Sequence, residues 1–271
     1  YLQNNLGFMK ADVNIEYTLN NGQAFRWKKI GDEWRGVCRD KIIHICQHEN
    51  DVSFRGASEE FIHSYLRLDD DLNKIYESIC KDEQVAAAVE RFRGMRLLRQ
   101  DLWECSASYM LATNATVPRI KSMIETVCRK CGQKLDEELF AFPLPEEIAS
   151  QDLSKCGLGF RAERLKKYAE SVYSGEFVLE ELKSMSYEES VQKLMTVYGI
   201  GPKVADCIAL FSLGHLQACP IDARISHVME EMYGVKGSYA KVGSYARDHF
   251  GPYAGYAQEY FYIGMSPEYK I

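Results

Sequence analysis

Two periodicities divide the chain. Between residues 11 and 55 apolar side chains alternate with polar ones at Val13, Ile15 and Tyr17, continue through Phe25 and Trp27, and resume at Trp34, Val37, Ile43 and Ile45. A period of two is that of a strand with one buried face, and Gly31-Asp32 and Arg39-Asp40 supply turns, so this segment predicts a small antiparallel sheet. From about residue 58 the period lengthens to that of a helix. Phe61, Ile62, Tyr65 and Leu66 share one face; Ala107, Tyr109, Met110 and Leu111 predict a largely buried helix ending before Asn114; Val191, Leu194, Met195 and Tyr198 lead toward Gly199. Pro143 and Pro145 interrupt an acidic connector, and no tandem repeat or low-complexity tract is present. Strands followed by helices, rather than alternating with them, argue for an α+β chain with segregated layers.

Composition narrows the class without naming a function. At 271 residues, 46% hydrophobic and 27% charged, the chain is expected to bury an ordinary core as one unit of two or three subdomains. No apolar run approaches the roughly 18 residues that span a bilayer, and the amino terminus lacks a basic stretch followed by an apolar one, so cytoplasmic, nucleoid or nuclear residence is the default expectation. The nine cysteines are too sparse for a disulfide scaffold and read as buried thiols. Cys128 and Cys131 form a lone Cys-x-x-Cys on a helix end, with neither a second pair for zinc nor a preceding strand for redox work, and are expected to be structural. The net charge of −6 is unfavourable for a partner rich in phosphate, but it is segregated: residues 85–134 carry nine bases against four acids and 153–171 five against two, whereas 135–152 holds six acids and no base.

The candidate chemistry lies at Gly199-Ile200-Gly201-Pro202-Lys203-Val204, followed nineteen positions after Lys203 by Asp222 in Cys219-Pro220-Ile221-Asp222. Glycines admit close approach of a ligand to the backbone, Pro202 suits the first position of a helix, and the free N–H groups there attract an anion. Lys203 would stand at the positive end of that helix. Dipole and desolvation both favour its neutral, nucleophilic form. Asp222 reads as the N-cap of a helix beginning near Ala223, a position that keeps a carboxylate ionised. Had Asp222 instead formed an ordinary salt bridge to Lys203, the amine would be held charged and inert.

With this hairpin, lysine and aspartate stand Gly22-Gln23-Ala24-Phe25-Arg26-Trp27, Arg96-Leu97-Leu98-Arg99-Gln100-Asp101, Gly157-Leu158-Gly159-Phe160-Arg161-Ala162 and Gly251-Pro252-Tyr253-Ala254-Gly255-Tyr256-Ala257-Gln258. In these blocks and in their order the chain resembles the helix-hairpin-helix DNA glycosylases, and within them the 8-oxoguanine DNA glycosylase/AP lyases. The resemblance spans nearly the whole chain. It implies a small N-terminal antiparallel sheet domain with flanking helices over residues 1–84, packed on a two-lobed helical body formed by a helical domain over 85–190 and a helix-hairpin-helix with C-terminal helices over 191–271. It implies no cofactor and no metal. The four cysteines that hold an iron–sulfur cluster in some relatives are lacking, since Cys219 alone follows Cys207.

The resemblance also implies roles. Lys203 would attack C1′ of the deoxyribose and Asp222 would stabilise the cationic sugar; the resulting imine would open β-elimination, giving base removal and strand nicking. Gly22 would offer a carbonyl to the N7 proton that 8-oxoguanine has and guanine lacks, Gln258 would read the Watson–Crick edge, and Cys207 and Tyr262, the latter a phenylalanine in the family, would cover the two faces of the base. Asn114 would fill the vacated stack, Arg119 and Arg161 would hold the orphaned cytosine, and Phe160 would act as a wedge. The family's run of asparagines is shortened to Asn114 alone, with Ala115 and Thr116 after it. Gly199, Gly201 and Val204 would grip phosphate, as would Arg224 where relatives commonly carry histidine. The expected partner is duplex DNA with 8-oxoguanine opposite cytosine, bound by a monomer. A sibling enzyme for another oxidised base and a catalytically silent DNA-binding hairpin module are the competing readings.

Overall fold

The computed structural model describes residues 6–266 and Tyr269. Five strands, β1 (Gly7–Lys10), β2 (Trp27–Ile30), β3 (Glu33–Cys38), β4 (Lys41–His48) and β5 (Asp51–Arg55), form one antiparallel sheet in the order β1-β5-β4-β3-β2. Helices α1 (Ile15–Leu19), α2 (Glu59–Tyr65), α3 (Leu72–Ile79) and α4 (Glu83–Arg91) accompany it. The body follows with α5 (Leu102–Leu111), α6 (Val117–Cys131), α7 (Pro145–Ala149), α8 (Arg161–Tyr173), α9 (Tyr187–Leu194), α10 (Pro202–Ile208), α11 (Ala223–Tyr233), α12 (Tyr239–Phe250) and α13 (Ala254–Gly264). The α+β architecture read from the sequence is the one observed. Among the described residues, no helix is long and apolar enough to cross a membrane.

The sheet is held by its predicted turns. Ile30 pairs with Glu33 across Gly31-Asp32, and Cys38 with Lys41 across Arg39-Asp40, with Gly31 and Arg39 both in the left-handed region. Its inner face (Trp34, Ile43, Ile45, Val52, Phe54) is buried against Ile15, Leu19, Ile62 and Leu66, and the Trp27 indole N–H donates to the Tyr65 hydroxyl at 2.9 Å.

One stretch read as strand is helical. Val13, Ile15 and Tyr17 alternate, but Asn14 caps a helix by accepting from the Tyr17 N–H at 2.9 Å, and the buried set is Ile15, Thr18 and Leu19, spaced as a helix requires. The strand that completes the sheet lies earlier, at β1, pairing Gly7 with Phe54. A second difference concerns α9: it buries Tyr187, Ser190 and Leu194, whereas Met195 and Tyr198 fall beyond its end and are exposed.

A second, larger core gathers the helices of the body. Helix α5 is its axis, buried at every position from Trp103 to Leu111 except Glu104. The segment before β2 is tied to this body by Gln23, itself buried. The Gln23 amide donates to the carbonyls of Thr18 and Arg96, both at 2.9 Å, and its oxygen accepts from the Leu98 N–H at 2.7 Å. The Gln23 carbonyl accepts from the Tyr109 hydroxyl at 2.9 Å and the Gln100 amide at 2.8 Å. With the Gln23 N–H donating to the Asn21 side-chain oxygen at 3.1 Å, six bonds on one residue fix where Gly22, its neighbour, is presented.

Candidate active site

The hairpin places its lysine by turn geometry. Gly199 has φ +97°, a conformation that favours glycine, and a side chain there would also run into the aliphatic part of Arg164. Gly201, the N-cap of α10, is extended, and a Cβ on it would meet no protein atom, so this turn of backbone faces open space. Pro202 takes the first helical position and Lys203 the next. Val204 is buried, so what it can offer outward is its backbone. Helix α10 continues into a π-helical turn over Ala209–Leu213 that ends at Gly214 in the left-handed region.

Beneath the lysine lies a buried carboxylate. Asp206, one turn on, is 2% exposed and accepts from the hydroxyls of Tyr187 (2.6 Å) and Tyr239. Tyr239 also accepts, at 3.5 Å, from the N–H of Ile221, the residue before Asp222. One phenol therefore links the helix carrying Lys203 to the turn carrying Asp222. Asp222 caps α11, its Oδ1 accepting from the Ile225 N–H at 2.8 Å. Lys203 Nζ lies 5.5 Å from the centre of the Tyr109 ring, and no ion pair of 4.0 Å or less joins it to Asp222 or to any other described carboxylate. The inert salt bridge that would have argued against chemistry is not formed.

Lys203 and Asp222 line a cavity of about 230 Å³ together with Gly22, Cys207, Arg224, Gln258 and Tyr262. These residues come from four separate parts of the chain. Gly22 has φ +89°, and a Cβ on it would lie 3.3 Å from the Tyr262 ring. Among the described residues no donor meets its carbonyl. Cys207 is 2% exposed; burial pushes its thiol up to about 12 despite the nearby Lys203 charge, so it offers a neutral, polarisable surface. Burial likewise raises the Tyr262 phenol to about 12. Arg224 stacks over the Tyr262 ring at 5.2 Å. Tyr109 and Phe25, read from sequence only as apolar positions, also line this space.

Asn114 lies outside that cavity, on a more open cleft of about 710 Å³ shared with the hairpin, Arg164, Lys203 and Asp222. It has φ +51°. The Arg161 guanidinium is folded onto the turn at Asn114, donating to the Thr113 carbonyl at 2.9 Å through Nε and to the Asn114 carbonyl at 3.0 Å. Arg119 donates to the Gly157 carbonyl. Phe160 is 49% exposed, with Arg161 and Arg164 over its ring at 4.4 and 4.7 Å. The structure thus brings the fourteen candidate residues into two adjoining groups, seven around the cavity and seven along the hairpin and its flank.

Glu259 was missed. It is 2% exposed, lines the cavity beside Gln258, and is pushed up to about 8 by burial and by the Asp222 charge. The signal was available: it is the one acid in the run Ala254–Ile263, where every other residue is buried and uncharged save half-buried Tyr262. Among the described residues, no three His, Cys, Asp or Glu side chains are grouped to hold a metal ion.

A glycine hairpin that presents a lysine on the same cavity as an N-cap aspartate, with Gly22, Gln23 and Phe25 of the segment before β2 in its wall, defines a helix-hairpin-helix DNA glycosylase. Residues 5–105 match the family model described as the 8-oxoguanine DNA glycosylase N-terminal domain. The solved structure of MBOgg1 in complex with a low-affinity DNA ligand superposes with a TM-score of 0.91 at 32% identity, covering 96% of this chain and 95% of that one. The 8-oxoguanine glycosylase/lyase of Clostridium acetobutylicum, in complex with double-stranded DNA containing cytosine opposite 8-oxoguanine, superposes at 0.90 with 28% identity over 97% of this chain and 98% of that one. The N-glycosylase/DNA lyase OGG1 of Arabidopsis thaliana is 27% identical over 290 residues, 96% of this chain and 79% of that protein. The chain belongs to the 8-oxoguanine DNA glycosylase/lyase family.

Proposed function

We propose that this protein excises 8-oxoguanine from duplex DNA, with cytosine opposite the lesion, and then nicks the strand, acting as a monomer wherever the cell keeps its DNA. The observation that carries the reading is the placement of Lys203 and Asp222, each fixed by its own helix start, on one cavity of nucleobase size without an ion pair between them.

The base must leave the stack to reach this cavity. Gly22 accepts a hydrogen bond from N7–H of the lesion; with guanine, its carbonyl would face a lone pair, at a cost of about 1–3 kcal/mol. Gln258 reads the Watson–Crick edge, while Cys207 and Tyr262 enclose the ring faces. Lys203, as the free amine, attacks C1′. The C1′–N9 bond breaks and its electron pair leaves with the base; the newly bonded nitrogen loses a proton, the C1′–O4′ ring bond opens with O4′ taking up a proton, and the protonated imine remains. Asp222, at the start of α11, offsets the positive charge that develops on the sugar. A C2′ proton is then removed and the 3′-phosphate leaves. Asn114 fills the gap, Arg161 and Arg119 turn from their present carbonyl partners to the orphaned cytosine, Phe160 wedges the duplex, and Gly199, Gly201, Val204 and Arg224 hold phosphates.

The test is borohydride reduction of protein mixed with labelled duplexes carrying 8-oxoguanine opposite each of the four bases. A reduced covalent adduct, greatest opposite cytosine, is expected. Tight binding with neither adduct nor released base would favour the silent module instead.

A further inference from the structure

Glu259 is a buried acid that the reaction above does not use. It stands on α13 next to Gln258, and both side chains line the cavity of Lys203 and Asp222. Both are almost completely buried, at 2% and 5% exposure, and each carries one oxygen, Oε1, with no hydrogen-bond partner. Two adjacent acceptors without a donor are an expensive arrangement for a dry pocket, because each unpaired group forfeits its hydration. We propose that Glu259 is a positioning residue for base recognition: its carboxyl group orients the Gln258 amide and so decides whether Gln258 offers the extruded base an oxygen or an NH₂ group.

The inference rests on the glycosylase reading and follows from what a carboxyl group can do in two states. Protonated, Glu259 donates, satisfies the Gln258 oxygen and leaves the NH₂ toward the base. Ionised, it accepts from that NH₂, so the amide turns its oxygen toward the N1–H and exocyclic N2–H₂ donors of a guanine-type edge. Which end of an amide faces a site is set by such a partner. The charged and titratable groups around Glu259 come from three other helices as well as its own: Asp222 at the start of α11, Lys203 and Cys207 on α10, Tyr109 on α5 and Tyr262 on α13. Burial first, then Asp222, favour the protonated form; Lys203 and hydrogen bonding from Gln258 favour the ionised one. The balance lies at about 8, so both states are reached within the range where the protein can be assayed.

The experiment compares excision of 8-oxoguanine with excision of 8-oxohypoxanthine, which lacks only the exocyclic amino group, as a ratio of kcat/KM from about pH 6.5 to about pH 9.5 in the wild type and in Glu259→Gln. The ratio cancels whatever is common to both substrates, attack by Lys203 included. In the wild type it should rise about tenfold as pH passes 8, the size of effect expected from one hydrogen bond gained or lost in a buried site. In Glu259→Gln, which cannot titrate, it should be flat. Should that variant lack a cooperative thermal transition, Glu259→Ala takes its place with the same expectation. A wild-type ratio independent of pH, or a variant ratio that follows the wild type, overturns the role of Glu259. Failure of the wild type to form a borohydride adduct with either duplex overturns the glycosylase reading, and the role of Glu259 with it.

Discussion

The two groups of candidate residues are built differently. Around the cavity the positions are held by the fold itself: Gly22 by the six hydrogen bonds of Gln23, Lys203 by the hairpin, Asp222 by its cap to Ile225, Gln258 by a helix buried nearly throughout. Along the hairpin flank the functional groups are parked. Arg161 and Arg119 spend their donors on backbone carbonyls, and Phe160 stands half-exposed with two guanidinium groups over its ring. Chemistry at a sugar carbon needs a preorganised site, because the charge develops faster than a protein can rearrange. A surface that meets DNA only after a base has been flipped has to exchange partners instead, and backbone carbonyls are partners that can be left at modest cost.

That contrast predicts a ranking of effects. The largest belongs to Lys203→Gln, which removes the nucleophile: single-turnover base release should fall by about 10⁴-fold and the reduced adduct should vanish. Asp222→Asn comes next. Asparagine caps a helix as well as aspartate does, so thermal stability should hold while turnover falls by about 10²–10³-fold; a loss of DNA affinity as large as the loss of turnover would contradict the electrostatic role. On the flank, Phe160→Ala and Arg161→Ala should act on affinity, each weakening binding of lesion-bearing duplex by about 1–3 kcal/mol in a titration, with Arg161→Ala also flattening the preference for cytosine. An equal effect of Arg161→Ala opposite all four bases would break the comparison.

The last effect is on stability rather than on activity. Because folding raises Glu259 from the ordinary carboxyl value of 4.5 to about 8, the folded chain holds a proton that the unfolded chain has released, and stability falls as pH rises across that window. Glu259→Gln escapes this loss. Its Tm should exceed that of the wild type at pH 8–9, and the two should converge near pH 4.5.

What the sequence disclosed follows from how local each signal is. The hairpin and the cap at Asp222 are written in consecutive residues with fixed turn chemistry, and the structure places the glycines, Pro202, Lys203 and Asp222 in those positions. The buried helix before Asn114 was equally plain, since an apolar run of helical length has few alternatives. Val13 to Tyr17 misled because three alternating residues fit a short helix as well as a strand, and the Asn14 cap decides between them. Strand β1 escaped because it is an edge of four residues whose Phe8 points outward, 65% exposed, giving no inward pattern to find. Met195 and Tyr198 continued an apolar pattern past the point where the helix stops. Glu259 was hidden by the long-range meeting of α13 with the hairpin, which no local rule conveys.

The central claim is that the amine of Lys203 becomes joined to the sugar of an extruded nucleotide. Digestion of the borohydride-reduced complex followed by mass spectrometry of the peptides tests it directly. The account predicts that the deoxyribose remnant is carried by the peptide containing Lys203; its recovery on another lysine, or on the terminal amine, would contradict it.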